Sequence, residues 1–168
     1  LNNLSELLTK HVHQQPERIA VGTSDLRTVI SYRQLDILVR SAAAQLSRIG
    51  LSRNDTIALV SDNSVEFVVG LLAIVSSGAR VAPLNPALTS PELSARFSAL
   101  SARALLAPKH HAEQLELWEP GVGSAARWIM SIEGSGSAAV VLIANGNGRG
   151  PELDATAETN LPMIDGED

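Results

Sequence analysis

The sequence contains no cysteine. Disulfide scaffolds, Cys-ligated zinc, iron–sulfur clusters and thiol nucleophiles are therefore excluded. Aromatic side chains make up 3% of the 168 residues, too few for a platform that stacks nucleobases. Basic charge is also scarce: 13 Lys and Arg face 18 Asp and Glu, for a net charge of −5. No basic stripe is present to follow a phosphate backbone, so no nucleic-acid partner is expected. The longest apolar stretch runs from Val65 to Val75 and is broken by Glu66. It is far short of the ~20 residues that span a bilayer, so no membrane span is expected. No basic segment followed by an apolar run opens the chain as a secretory signal would.

What is present is one domain's worth of chain, 45% hydrophobic and 18% charged, enough to bury a core. The acids are unevenly spread. Seven of them (Glu133, Glu152, Asp154, Glu158, Asp165, Glu167 and Asp168) face only Arg149 after residue 130, which leaves the preceding body nearly neutral. Asn145-Gly146-Asn147-Gly148-Arg149-Gly150-Pro151 breaks regular structure. Residues 1–144 are expected to form one α/β subdomain, and residues 145–168 an acidic, solvated loop. The chain opens on Leu1 and closes on Asp168 without an end signal, which reads as a piece of a longer polypeptide.

Leu4, Leu7, Leu8 and Val12 recur at helical spacing, and Pro16 ends that helix. Ile19–Val21 and Thr28–Ile30 flank the turn signal Gly22-Thr23-Ser24-Asp25, so a hairpin is expected. Ser31-x-x-Gln34 is a capping box for a long amphipathic helix buried through Leu35, Leu38, Val39, Ala42, Leu46 and Ile49 and stopped by Gly50. Apolar strands then start at Thr56, Arg80, Ala104 and Arg127, roughly every 24 residues, the length of one strand–turn–helix–turn unit. Asn63-x-x-Glu66, Ser90-Pro91 and a segment from His110 to Trp118 are the expected helix starts between them. Val140–Ala144 reads as one further strand. The pattern predicts an α/β fold with a mostly parallel sheet, right-handed crossovers and flanking helices.

No constellation of residues assembles a catalytic, cofactor or metal site from spacing alone. Gly146, Gly148 and Gly150 lack the Lys and following helix of a phosphate loop, and the turn Ser61-Asp62-Asn63-Ser64 has no glycine for a dinucleotide fingerprint. Gly134-Ser135-Gly136-Ser137 misses the nucleophile-elbow spacing. His11 and His13 point to opposite sides of a helix, and His110-His111 read as solvated surface residues beside Lys109. Pro83-Leu84-Asn85-Pro86 leaves what reads as a central strand and is expected to be a rigid crossover.

Four ordered segments resemble the adenylate-forming (AMP-binding) superfamily of acyl-CoA synthetases, 4-coumarate–CoA ligases, luciferases and peptide-synthetase adenylation domains. They are Ser31-Tyr32-Arg33-Gln34-Leu35, Gly50 through Leu59, Asn63 through Ala73, and Gly78 through Pro86. Asn54 stands where that family usually has Gly, in a turn where Asn tolerates positive φ. Phe67-Val68, Pro83-Leu84-Asn85 and the closing Met163-Ile164-Asp165-Gly166-Glu167-Asp168 resemble the peroxisomal-type oxalate–CoA ligase branch. The resemblance implies the N-terminal subdomain of that superfamily's fold, truncated. It implies a parent enzyme that activates a small carboxylic acid with ATP and Mg²⁺ to an acyl-adenylate and passes the acyl group to coenzyme A.

The family's phosphate loop, adenine-binding segment and mobile C-terminal domain with its catalytic Lys would follow Asp168. No family site residue therefore transfers to this chain: catalytic none, cofactor-binding none, metal none. The segment alone is expected not to catalyse and to need the missing remainder of the enzyme. Its location is left open between cytoplasm and peroxisome, because a targeting tripeptide would sit at the far end of the longer chain. Each 100 Å² of uncovered apolar surface forfeits about 2.5 kcal/mol, against a margin of about 5–15 kcal/mol, so the isolated piece is expected to be marginally stable or to associate. The alternative reading is a self-contained flavodoxin-like binding or regulatory module with a pocket at the carboxyl ends of its strands. A third is a remnant that acts through its acidic tail.

Overall fold

The structure, a computed structural model, describes residues 4–24, 29–111, 126–133 and 139–144. The glycine-rich run at 145–151, the acidic tail, Gly134–Ser137 and most of the helix expected from His110 to Trp118 lie outside the described residues.

Helix α1 (Leu4–Gln14) leads into a hairpin of β1 (Ile19–Gly22) and β2 (Val29–Ser31), paired antiparallel as expected. Ser31 then caps α2 (Tyr32–Arg48). Its Oγ accepts from the Gln34 N–H at 3.3 Å, while the Gln34 side chain accepts from the Ser31 N–H at 2.9 Å. The reciprocal pair satisfies two N–H groups that a helix start otherwise leaves unbonded. Leu35, Leu38, Val39, Ala42 and Leu46 form the buried stripe. Ile49 is the C-cap, and Gly50, at φ +81, turns the chain out through the left-handed region that glycine enters without penalty.

A five-stranded sheet follows, in the order β4-β3-β5-β6-β7. Its strands are β3 (Thr56–Val60), β4 (Arg80–Leu84), β5 (Ala104–Pro108), β6 (Ala126–Glu133) and β7 (Ala139–Ala144). The first four pair in parallel, and β7 returns antiparallel along β6. Strand β4 lies at an edge of the sheet, not at its centre as the loop reading supposed. Pro83 explains why: it has no N–H for a second ladder, so its strand can be hydrogen-bonded on one side only.

Side chains alternate across the sheet. Ile57, Leu59, Ala104, Leu106 and Met130 face the larger core with α2 and α3 (Val65–Ser76). Ala58, Val60, Leu105 and Ala107 face the other way, onto Leu93 and Phe97 of α4 (Ser90–Ala99). Because both faces are covered, β3 and β5 read as unbroken apolar runs. Helix α3 approaches so closely that a Cβ on Gly70 would lie 3.1 Å from Leu59 Cδ1 and 3.2 Å from Met130 Cε.

Two helix caps differ from the sequence reading by one residue, and one turn differs in backbone conformation. Ser64, not Asn63, caps α3, its Oγ accepting from the Phe67 N–H at 3.1 Å. The helix starts one residue later than a box on Asn63 and Glu66 would place it. Thr89, not Ser90, caps α4, which puts Pro91 one position further into the first turn. The Thr89 N–H and hydroxyl both donate to Glu92 Oε2, at 2.9 and 2.7 Å, and these bonds hold the Glu92 carboxyl below its ordinary pKa. Asn54 does not take a positive φ. Among the described residues Ser101, at φ 48, is the one non-glycine that does. The 52–55 turn is closed instead by Asp55, whose N–H donates to Ser52 O and whose carboxylate accepts from the Ser52 N–H.

Candidate functional site

The order β4-β3-β5 fixes where a ligand site can form. The chain leaves β3 toward β4 on one side, then returns to the far side of β3 as β5 and continues outward to β6. The two connections diverge between the carboxyl ends of β3 and β5. In open α/β sheets that divergence opens the crevice in which ligands bind.

Three titratable side chains meet there. Asp62 sits two residues beyond the end of β3, just ahead of the Ser64 cap of α3. His110 and His111 lie in a 3₁₀ turn, Lys109–His111, directly after β5. His110 Nε2 is 3.1 Å from Asp62 Oδ1, and His111 Nε2 is 3.5 Å from the same oxygen. The two imidazoles are tilted, with centroids 4.3 Å apart. Asp62 and His110 are about half exposed, whereas His111 is mostly covered. Burial alone pushes the Asp62 carboxyl up. The hydrogen bond and positive charge of His110, with those of His111, outweigh it and bring the carboxyl below its ordinary value. Ser61 is buried and donates its hydroxyl to the Asp62 carbonyl at 2.9 Å, a bond within the turn.

The other sequence candidates do not join this cluster. His11 stacks on Tyr32, with centroids 5.0 Å apart and ring planes 19° apart, and is part of the α1–α2 packing. His13 is exposed on the same helix. Asn85, in the loop after edge strand β4, accepts from the Ala87 N–H at 2.9 Å, which makes that loop a local turn. Sequence reasoning gave no His a ligand role and did not foresee the meeting of Asp62 with His110 and His111. The signal lay in strand order, which places the residue after β3 beside those after β5.

The amino end of the same two strands holds a different pair. Arg103 Nη1 lies 2.9 Å from both Asp55 carboxylate oxygens and 3.1 Å from Gly50 O. The Arg103 hydrogen bond holds the Asp55 carboxyl below its ordinary value; burial opposes it, and the Ser52 N–H and hydroxyl reinforce it.

At this crevice the described residues form no phosphate cradle. The turn at the crevice has no glycine to bring backbone N–H groups onto phosphates, and it carries an acid. Among them, no helix is long and apolar enough to cross a membrane.

The family model described as "AMP-binding enzyme" matches residues 8–148. Oxalate–CoA ligase of Arabidopsis thaliana is 33% identical over 108 residues, covering 64% of this chain and 21% of that protein. 4-Coumarate–CoA ligase 1 of Narcissus pseudonarcissus is 25% identical over 156 residues, covering 93% of this chain and 27% of that protein. The crystal structure of a mutant coronafacic acid ligase from Pectobacterium brasiliense superposes with a TM-score of 0.68 at 20% identity, over 79% of this chain and 26% of that one. The chain thus spans about a quarter of the length of these proteins.

Proposed function

The chain belongs to the AMP-binding enzyme family, and on that premise we propose that it serves as the amino-terminal α/β subdomain of an ATP-dependent acid–thiol ligase. The whole protein joins a small carboxylic acid to AMP, with loss of pyrophosphate, and then passes the acyl group to the thiol of coenzyme A. The observation that carries this reading is the family match over residues 8–148 in a segment that covers only 21% of a related oxalate–CoA ligase. The triphosphate is assigned to parts of the ligase outside this crevice, whose Ser61–Ser64 turn has no glycine to cradle it; Mg²⁺ and coenzyme A belong to the same whole-enzyme reaction. This subdomain's share is a stiff sheet, covered on both faces, whose carboxyl end is presented to the rest of the enzyme. Oxalate and 4-coumarate, the acids named by two relatives, are the first substrates to try.

The test is acid-dependent exchange of labelled pyrophosphate into ATP, run on the product of the complete gene and on the 168-residue chain. The complete product is expected to exchange with at least one acid and the chain alone with none. Exchange by the chain alone, or by neither protein across a broad panel of acids, overturns the reading.

A further inference from the structure

We propose that Asp62, His110 and His111 form a binding site for a divalent transition-metal ion, with zinc as the reference ion. The site does not depend on the ligase reading and is distinct from the Mg²⁺ that accompanies ATP. Imidazole nitrogens suit zinc and its neighbours in the first transition row, whereas magnesium prefers an all-oxygen shell.

Geometry carries the proposal. One ligand atom from each side chain lies within 4.8 Å of the other two. Zinc bonds of about 2.0–2.1 Å in a tetrahedral shell put neighbouring ligand atoms about 3.3 Å apart. The two edges from Asp62 Oδ1, to His110 Nε2 at 3.1 Å and to His111 Nε2 at 3.5 Å, bracket that length. Two of the three edges therefore already stand at the zinc spacing, and the third ligand pair lies within 4.8 Å. The backbone already supports the arrangement: adjacent His residues in a 3₁₀ turn bring both rings to one carboxylate. Ser61 and the Ser64 cap hold the turn that carries that carboxylate.

Three protein ligands leave a fourth position open, as in zinc sites that take water or a substrate oxygen. Asp62 and His110 are about half exposed, so solvent and small ligands can reach the ion. An ion here would tie the turn after β3 to the turn after β5 across the crevice. It would replace the present Asp62–His110 hydrogen bond and release whatever proton the ring nitrogens carry.

Zinc is titrated calorimetrically into the full, chelator-treated chain, and cobalt is then substituted to read its visible absorption bands. A single equivalent is expected, with cobalt bands that mark nitrogen and oxygen ligation at low symmetry. Losing only an outer partner of a metal ligand weakens binding about 10–100-fold, so Asp62→Asn and His110→Ala are each expected to weaken zinc at least tenfold. Both positions are exposed enough for the variants to fold, and circular dichroism verifies it. His13→Ala serves as the control for casual binding by a surface histidine and is expected to bind like the parent. Binding that survives both Asp62→Asn and His110→Ala, that depends on His13, or that is missing at about 1 mM zinc overturns the site.

Discussion

Strands β3 and β5 carry an acid–base pair at each end, and the two pairs behave differently. At the amino end, Asp55 meets Arg103; at the carboxyl end, Asp62 meets His110. Asp55 is 11% exposed and is surrounded by donors: Arg103, the Ser52 N–H and the Ser52 hydroxyl. Backbone bonds from Arg80 N to Asp55 O and from Arg103 N to Thr56 O, both 2.9 Å, knit three strands together beside it. Asp62 is 54% exposed and takes a 3.1 Å bond from a ring that can drop its proton. Arginine stays charged and offers no lone pair, so the amino end is a closed clamp. Histidine in its neutral form exposes a lone pair, so the carboxyl end remains chemically available. The fold spends one end of a strand pair on cohesion and keeps the other for exchange.

One strand, β3, separates the two ends. Leu59 is fully buried in β3 between Asp55 and Asp62 and packs beneath Gly70 of α3. Leu59→Ala is expected to cost about 2–5 kcal/mol in urea unfolding. A loss below about 1 kcal/mol would mean that β3 is not the beam joining the ends. Gly70→Leu probes the same contact from the helix side. Its side chain would press on Leu59 and Met130, which lie 3.1 and 3.2 Å from a first added carbon, and overpacking of that kind costs about 1–3 kcal/mol. A stabilised Gly70→Leu would show slack between α3 and the sheet.

The clamp comes next in size. Arg103→Ala strips Asp55 of its charge partner and Gly50 O of a donor. Arg103 is itself 58% exposed, so solvent screens much of the attraction and the expected loss is about 1 kcal/mol. The sign of the pH dependence follows from the lowered Asp55 pKa. The unfolded chain binds a proton at Asp55 more readily than the folded one, so the stabilisation is fully present above the ordinary value of 3.8 and fades as pH falls through the lower folded value. Asp55→Asn should flatten the stability profile in that acid range and leave its shape near neutrality alone. An unchanged acid limb would place the amino-end cohesion in the backbone bonds and not in the ion pair.

Much of this frame was legible in the residues. The Ser31–Gln34 box, the stripe from Leu35 to Leu46 and the strand starts near 56, 80, 104 and 127 came from periodicity and capping chemistry, which act within a few residues. The edge position of β4 was not read, although Pro83 in the strand pointed to it. The buried face of α3 was not readable either. That helix is apolar on nearly every side, so periodicity cannot choose Val65, Val69, Ala73 and Ile74 over Phe67, Val68, Leu71 and Leu72. The Asp62–His110–His111 cluster was invisible for a different reason. It joins residues 48 positions apart in Asp62 and His110, and only the crossing of β5 to the far side of β3 brings them together.

If the carboxyl end is built for exchange, removing its polar contacts should barely touch stability. His110→Ala deletes an exposed ring and one hydrogen bond to an exposed carboxylate, both of which water can replace. Its cost is expected within about 0.5 kcal/mol, the range of ordinary surface changes, and smaller than that of Arg103→Ala at the opposite end. Urea midpoints of the two variants, measured at one pH with metal removed, decide the matter. A His110→Ala loss equal to or above that of Arg103→Ala would make both ends clamps, and the asymmetry would be one of residue type without consequence for stability.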